Sequence, residues 1–169
     1  MPFVSQMKRT RSILTIVVLL FFTGFFIEKK ILQKSTPVIN LNELQLQDLS
    51  GKNIPLSLFA NKPLVLNFWG TWCGPCLQEI PGFDDARKKF GDKVTIILIS
   101  DEPAEKITAF KNKNNYQVLF AQSLIKFNTL HISGVPVTCF YDAAGKLVMT
   151  KKQALDEEEI TTAIEGLLQ

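Results

Sequence analysis

The chain has 169 residues, 46% of them hydrophobic, with a formal charge of +3, three cysteines and one histidine. The charge is unevenly held: residues 1–36 carry six Lys/Arg against one Glu, whereas residues 37–169 are net −2, so the body of the chain offers no cationic patch for nucleic acid. A body of that length buries about two-thirds of its unfolded surface and needs no disulfide or metal staple to fold.

The chain opens with Lys8, Arg9 and Arg11, then a 15-residue uncharged run from Ile13 to Ile27, then Glu28, Lys29 and Lys30. Fifteen residues is short for a spanning helix, but flanking Lys and Arg stems extend the reach, and no small-x-small cleavage pattern follows. Residues 1–36 are therefore expected to be an uncleaved N-terminal membrane anchor and linker. The alternative is a cleaved signal that releases a secreted protein. A short basic N-terminus usually stays cytoplasmic, which places the domain, residues 37–169, on the extracytoplasmic side.

Leu44, Leu46 and Leu49, then the turn residues Ser50–Asn53, then Ile54, Leu56 and Leu58 predict an N-terminal β-hairpin. A buried strand is expected over Leu64–Trp69. A helix follows from about Cys73 to Phe90, stopped by Gly91 and kinked at Pro81. A second buried strand, Val94–Ser100, leads to Asp101-Glu102-Pro103, which suits the start of a helix carrying Ile107 and Phe110. A short apolar stretch (Val118–Ala121) and a short helix (Ser123–Leu130) come next. A strand over Val135–Asp142, a turn at 143–146 and a strand over Leu147–Thr150 form a hairpin. A last helix begins at Asp156, with Ile160, Ala163, Ile164 and Leu167 as its apolar stripe. Helices alternating with buried strands, then a closing hairpin, predict an α/β fold: one mixed central β-sheet flanked by helices.

Where the first buried strand gives way to a helix, the chain reads Asn67-Phe-Trp-Gly-Thr-Trp-Cys-Gly-Pro-Cys76. Cys73 at a helix N-terminus would face unpaired N–H groups and the positive end of the dipole, both of which favour thiolate. Cys76, one turn on, is placed to attack a mixed disulfide at Cys73. That is the layout of a dithiol–disulfide exchanger. A zinc site would have to recruit Cys139 and His131 as well, and a bridge spanning two residues closes too small a loop to stabilise much.

This string resembles membrane-anchored thioredoxin-like proteins of the TlpA/ResA type, together with Glu79 and Pro81, Ile99–Glu102, Gly134-Val-Pro136 and Asp142–Lys146. The resemblance spans about residues 37–169. It implies a thioredoxin fold and extracytoplasmic thiol–disulfide exchange with the Cys73–Cys76 disulfide as the redox group and no other cofactor. The resemblance makes Cys73 the nucleophile, Cys76 the resolving thiol, Glu79 a proton acceptor, and Trp72, Gly74, Pro75, Val135 and a cis Pro136 the surface that docks substrate. Thioredoxin has a buried Asp six residues before its first Cys; here that position is Asn67.

Gly74-Pro75 is the dipeptide of reducing thioredoxins, so the expected role is reduction of cysteine-containing extracytoplasmic proteins, an apocytochrome c being one candidate. Electrons would come from a transmembrane thiol carrier. The rival readings are a copper(I) metallochaperone using both thiolates and His131, and a thiol peroxidase. Cys139 is expected to be a buried apolar filler.

Overall fold

The computed structural model describes residues 39–169; the expected anchor (13–27) and the boundary at residue 36 lie outside them. Among the described residues no helix is long and apolar enough to cross a membrane.

Six strands form one mixed sheet: β1 (Leu46–Gln47), β2 (Leu64–Phe68), β3 (Thr95–Ser100), β4 (Leu119–Ser123), β5 (Val137–Tyr141) and β6 (Leu147–Lys151), in the order β1-β4-β3-β2-β5-β6. The central β2, β3 and β4 run parallel, joined through α1 (Gly74–Phe90) and α2 (Ala104–Asn114). β5 and β6 return antiparallel beside β2, and β1 pairs antiparallel with β4. The closing helix is α3 (Glu157–Leu167). This is the thioredoxin-like arrangement of a mixed sheet flanked by helices.

Alternation along β2 divides the core. Val65 and Trp69 join a cluster with Cys76, Ile80 and Phe83 of α1, Ile107 of α2 and Ile160 of α3. Leu64, Leu66 and Phe68 face a second cluster with Ile39, Leu44 and residues of the stretch after β4. Asn67, fully buried, falls between Val65 and Trp69 on the α1 side.

Two local expectations need correction. The N-terminal hairpin shrinks to a single bridge, Gln47 to Asn53, and Leu56–Phe59 is a 3-10 turn instead of a strand. The leucines that suggested alternation are used irregularly: Leu44 and Leu46 are buried while Leu58 is exposed. The helix expected at Ser123–Leu130 is absent. Ser123 ends β4, and the chain continues in turns because Asp101 accepts the Phe127 N–H at 3.1 Å and Ser123 bonds the Ile125 carbonyl at 2.6 Å. Side-chain bonds of this kind compete with helix formation. The strand expected from Val135 begins at Val137, after a cis Val135–Pro136 peptide.

Candidate active site

The helix α1 begins as the sequence suggests. Cys73 is its N-cap, in extended conformation, and the Cys73 sulfur accepts the Cys76 N–H at 3.2 Å. Pro75 fills a first-turn position where no backbone donor is needed, and Gly91, at φ 56°, ends the helix. Pro81 lies inside it without interrupting the assignment. Cys73 and Cys76 are joined by a disulfide. Cys73 retains 4% exposure and Cys76 none, so an incoming group meets Cys73 first.

Beside Cys73, Trp72 is 72% exposed and its indole folds back over Gly70. A Cβ at residue 70 would sit 2.7 Å from the Trp72 ring nitrogen, so glycine is what lets the ring lie there. Gly74 and Pro75 are exposed. The Val135 carbonyl oxygen lies 3.6 Å from the Cys73 sulfur, and the cis Pro136 is buried behind it. The fold thus brings Trp72, Gly74, Pro75 and Val135 to one rim around Cys73. His131 is exposed in the turn after β4 at φ 58°, and Cys139 is buried in β5, where burial pushes its thiol up to about 11.

Behind the disulfide lies a polar pocket in the apolar layer. Glu79, one turn beyond Cys76, is 2% exposed. Its carboxylate accepts the Asn67 amide at 2.7 Å and the Leu155 N–H at 2.9 Å. Burial pushes the Glu79 carboxyl up to about 7, against the opposing pull of these two donors, and no charged group contributes. A carboxyl at that value exchanges its proton near neutrality. Asn67 donates its second amide hydrogen to the Thr138 hydroxyl at 2.9 Å, leaving the Asn67 carbonyl oxygen buried and, among the described residues, unpartnered. Such an orphan acceptor costs about 1–3 kcal/mol.

One contact escapes sequence reasoning entirely. Glu102, expected only to favour the start of α2, instead accepts the Thr71 N–H at 2.6 Å and the Thr71 hydroxyl at 3.0 Å. It clamps the loop before Cys73 from 31 residues away. No local pattern encodes such a pair; the burial of Glu102 is visible only once β3 runs parallel to β2. Leu155 N–H and Thr138, both partners of the Glu79 pocket, are likewise assembled by topology alone. Among the described residues, no group of three or more His, Cys, Asp or Glu side chains is arranged as a metal site.

Comparison with known proteins agrees with this geometry. Residues 39–161 match the model of the AhpC/TSA family. The chain is 28% identical to a thiol-disulfide oxidoreductase ResA of Bacillus cereus, over 96% of this chain and 98% of that one. It is 31% identical to ResA of Bacillus subtilis, over 68% of this chain and 66% of that one. Among solved structures, a secreted disulfide oxidoreductase of Mycobacterium tuberculosis superposes with a TM-score of 0.65 at 21% identity, covering 75% of this chain and 96% of that one.

Proposed function

Since the chain belongs to the AhpC/TSA family and carries a thiol–disulfide oxidoreductase active site on a thioredoxin-like fold, we propose that it reduces disulfides of extracytoplasmic proteins. The observation that carries this reading is the pairing of the Cys73–Cys76 disulfide at a helix start with the buried Glu79 one turn on, whose carboxyl burial pushes up to about 7. Likeness to ResA proteins and the basic-flanked apolar run at residues 13–27 support a membrane-held, extracytoplasmic setting.

In the reduced protein the Cys73 thiolate, favoured by the α1 terminus, attacks one sulfur of a substrate disulfide. The substrate S–S bond breaks, one substrate sulfur leaves as a thiolate that takes up a proton, and a mixed disulfide forms at Cys73. Glu79 then accepts the Cys76 proton. The Cys76 thiolate attacks the Cys73 sulfur, releasing the second substrate thiol and closing Cys73–Cys76. Two electrons have passed to the substrate and must be restored, in this reading by a transmembrane thiol carrier. Trp72, Gly74, Pro75 and Val135 form the docking rim with the buried Pro136 behind it; backbone groups flanking Pro136 are suited to pair with an extended substrate segment.

Neither rival gains a specific contact. A peroxidase reading wants a cation beside the reactive sulfur, whereas Arg87 lies in the last turn of α1 and pairs with Asp92 at 3.4 Å. The copper reading needs His131 beside the thiols, and among the described residues no group of three or more His, Cys, Asp or Glu side chains is arranged as a metal site. Trapping tests the proposal. In cells, the full-length Cys76→Ser protein should accumulate mixed disulfides that survive non-reducing electrophoresis. Cys73→Ser should trap far less, and Cys139→Ser should change neither result. Captured extracytoplasmic cysteine proteins support a reductant, and an apocytochrome c among them would name the pathway class. Failure to capture anything, with tight Cu(I) binding or hydrogen peroxide turnover by the wild type, would overturn it.

A further inference from the structure

Asn67 is the least explained group in the pocket. Both hydrogens of its amide are committed, to Glu79 at 2.7 Å and Thr138 at 2.9 Å, while its carbonyl oxygen is fully buried with no partner among the described residues. Alternation along β2 turns Asn67 to the α1 side of the sheet, the layer in which Cys76 is also fully buried. In the disulfide, the Cys76 sulfur carries no hydrogen. Reduction gives it an S–H, a donor that did not exist before, in the layer that holds an unused acceptor.

We propose that Asn67 is a positioning residue for the resolving thiol: its free carbonyl accepts the S–H of reduced Cys76, and its amide turns over when that proton passes to Glu79. This rests on the reading of Glu79 as proton acceptor. Before transfer, Cys76 S–H points to the Asn67 oxygen and the Asn67 N–H points to the Glu79 carboxylate. The S–H bond then breaks, an O–H bond forms on Glu79, and negative charge moves from carboxylate to sulfur with no change of oxidation state. A half-turn of the amide now gives Glu79 O–H an acceptor and the Cys76 thiolate an N–H donor.

Thr138 tolerates both states because a hydroxyl accepts from the amide nitrogen in one and donates to the amide oxygen in the other. The Leu155 N–H stays on the second Glu79 oxygen throughout. Asn67 meets Glu79 of α1 and Thr138 of β5, the Leu155 N–H before α3 meets Glu79, and Cys76 is buried in the same layer; among the described residues no charge enters the Glu79 environment. An aspartate at position 67 would add a third titrating group. An asparagine serves both charge states without taking a proton itself.

The test uses the full-length chain carrying a preformed Cys73–glutathione mixed disulfide, and reads the rate of internal resolution by Cys76 against pH. Asn67→Ala should slow resolution about tenfold and move its midpoint upward, because the carboxylate and the thiolate each lose a donor. A second reading needs no variant: in wild-type protein the side-chain amide resonances of Asn67 should move on reduction, and move again as pH crosses the Glu79 titration. Asn67 resonances identical in oxidised and reduced protein, or an unchanged pH–rate profile in Asn67→Ala, overturn the inference. Glu79→Gln separates the two levels. If it leaves the profile unchanged, the Glu79 reading itself fails; if it shifts the profile while Asn67→Ala does not, only the role of Asn67 falls.

Discussion

Helix α1 carries two buried carboxylates, Glu79 and Asp84, and the fold treats them in opposite ways. Asp84, 3% exposed, accepts the Gln117 N–H at 2.6 Å, the Val118 N–H at 2.8 Å and the Lys88 ammonium at 2.8 Å. Burial pushes its carboxyl up, but the Lys88 cation and the two backbone donors outweigh this and hold it below the usual carboxylate range. Glu79, no more exposed, has two neutral donors and no cation, and burial wins. Burial therefore does not decide whether a carboxylate is fixed or exchangeable. The count of donors and the presence of a charge do. Asp84 ties the start of β4 to α1, whereas Glu79 sits one turn from the disulfide with a proton to trade.

If that division is right, damage at one site is thermodynamic and at the other kinetic. The largest effect is expected from Asp84→Ala, which strands two backbone donors and should cost about 3 kcal/mol in urea unfolding. Its exchange rate per folded molecule should match wild type; a parallel collapse of rate would erase the distinction.

Glu79→Gln should do the reverse, slowing disulfide exchange about 100-fold for want of a proton acceptor while the fold persists. It also carries a pH signature. Because the folded value, about 7, lies above the ordinary 4.5, Glu79 favours the fold most below pH 4.5, and that contribution fades as pH rises through about 7. The span amounts to about 3 kcal/mol. Wild-type stability minus that of Glu79→Gln should fall across this window and be flat above it; a difference that rises with pH would place Glu79 in the same class as Asp84.

Asp84 has the opposite sign: its depressed value makes its contribution present above about pH 4 and lost as pH falls further. Lys88→Met should therefore lower stability at neutral and alkaline pH, move the acid-unfolding midpoint to higher pH, and cost least at low pH, where Asp84 is protonated. The smallest effect is expected at Asp85, the other partner of Lys88, which is exposed. Asp85→Ala should leave both the urea midpoint and the exchange rate where they are.

The sequence made the chemistry legible because the chemistry is local. Cys73, Cys76 and Glu79 share a helix whose start is written in the Trp-Cys-Gly-Pro string, and the strands flanking it are apolar runs that admit few other uses. The Asp156 cap was legible for the same reason; its side chain meets the Glu159 N–H at 2.8 Å, and Glu159 returns the bond. What escaped is what topology assembles. Asp84 reaches across to residues 117 and 118, Glu102 to Thr71, and Asn67 to Thr138, and none of these pairs leaves a periodic trace. The 44–58 region misled for a different reason: its leucines alternate by spacing, but they are shared between two neighbouring surfaces and the exposed Leu58, so spacing does not report a strand.

Ile39 is buried, and its carbonyl oxygen accepts the Tyr141 hydroxyl at 3.0 Å across 102 positions of chain. Tyr141 ends β5, an interior strand flanked by β2 and β6. Ile39 is therefore latched to an interior strand of the sheet, ahead of the two-residue edge strand β1. A pull applied before Ile39 must draw a buried isoleucine out of its packing and break a shielded bond before it can begin to peel β1 from β4. Resistance to such a load is a matter of barrier height, not of equilibrium stability, and the latch places the first barrier at the point of entry.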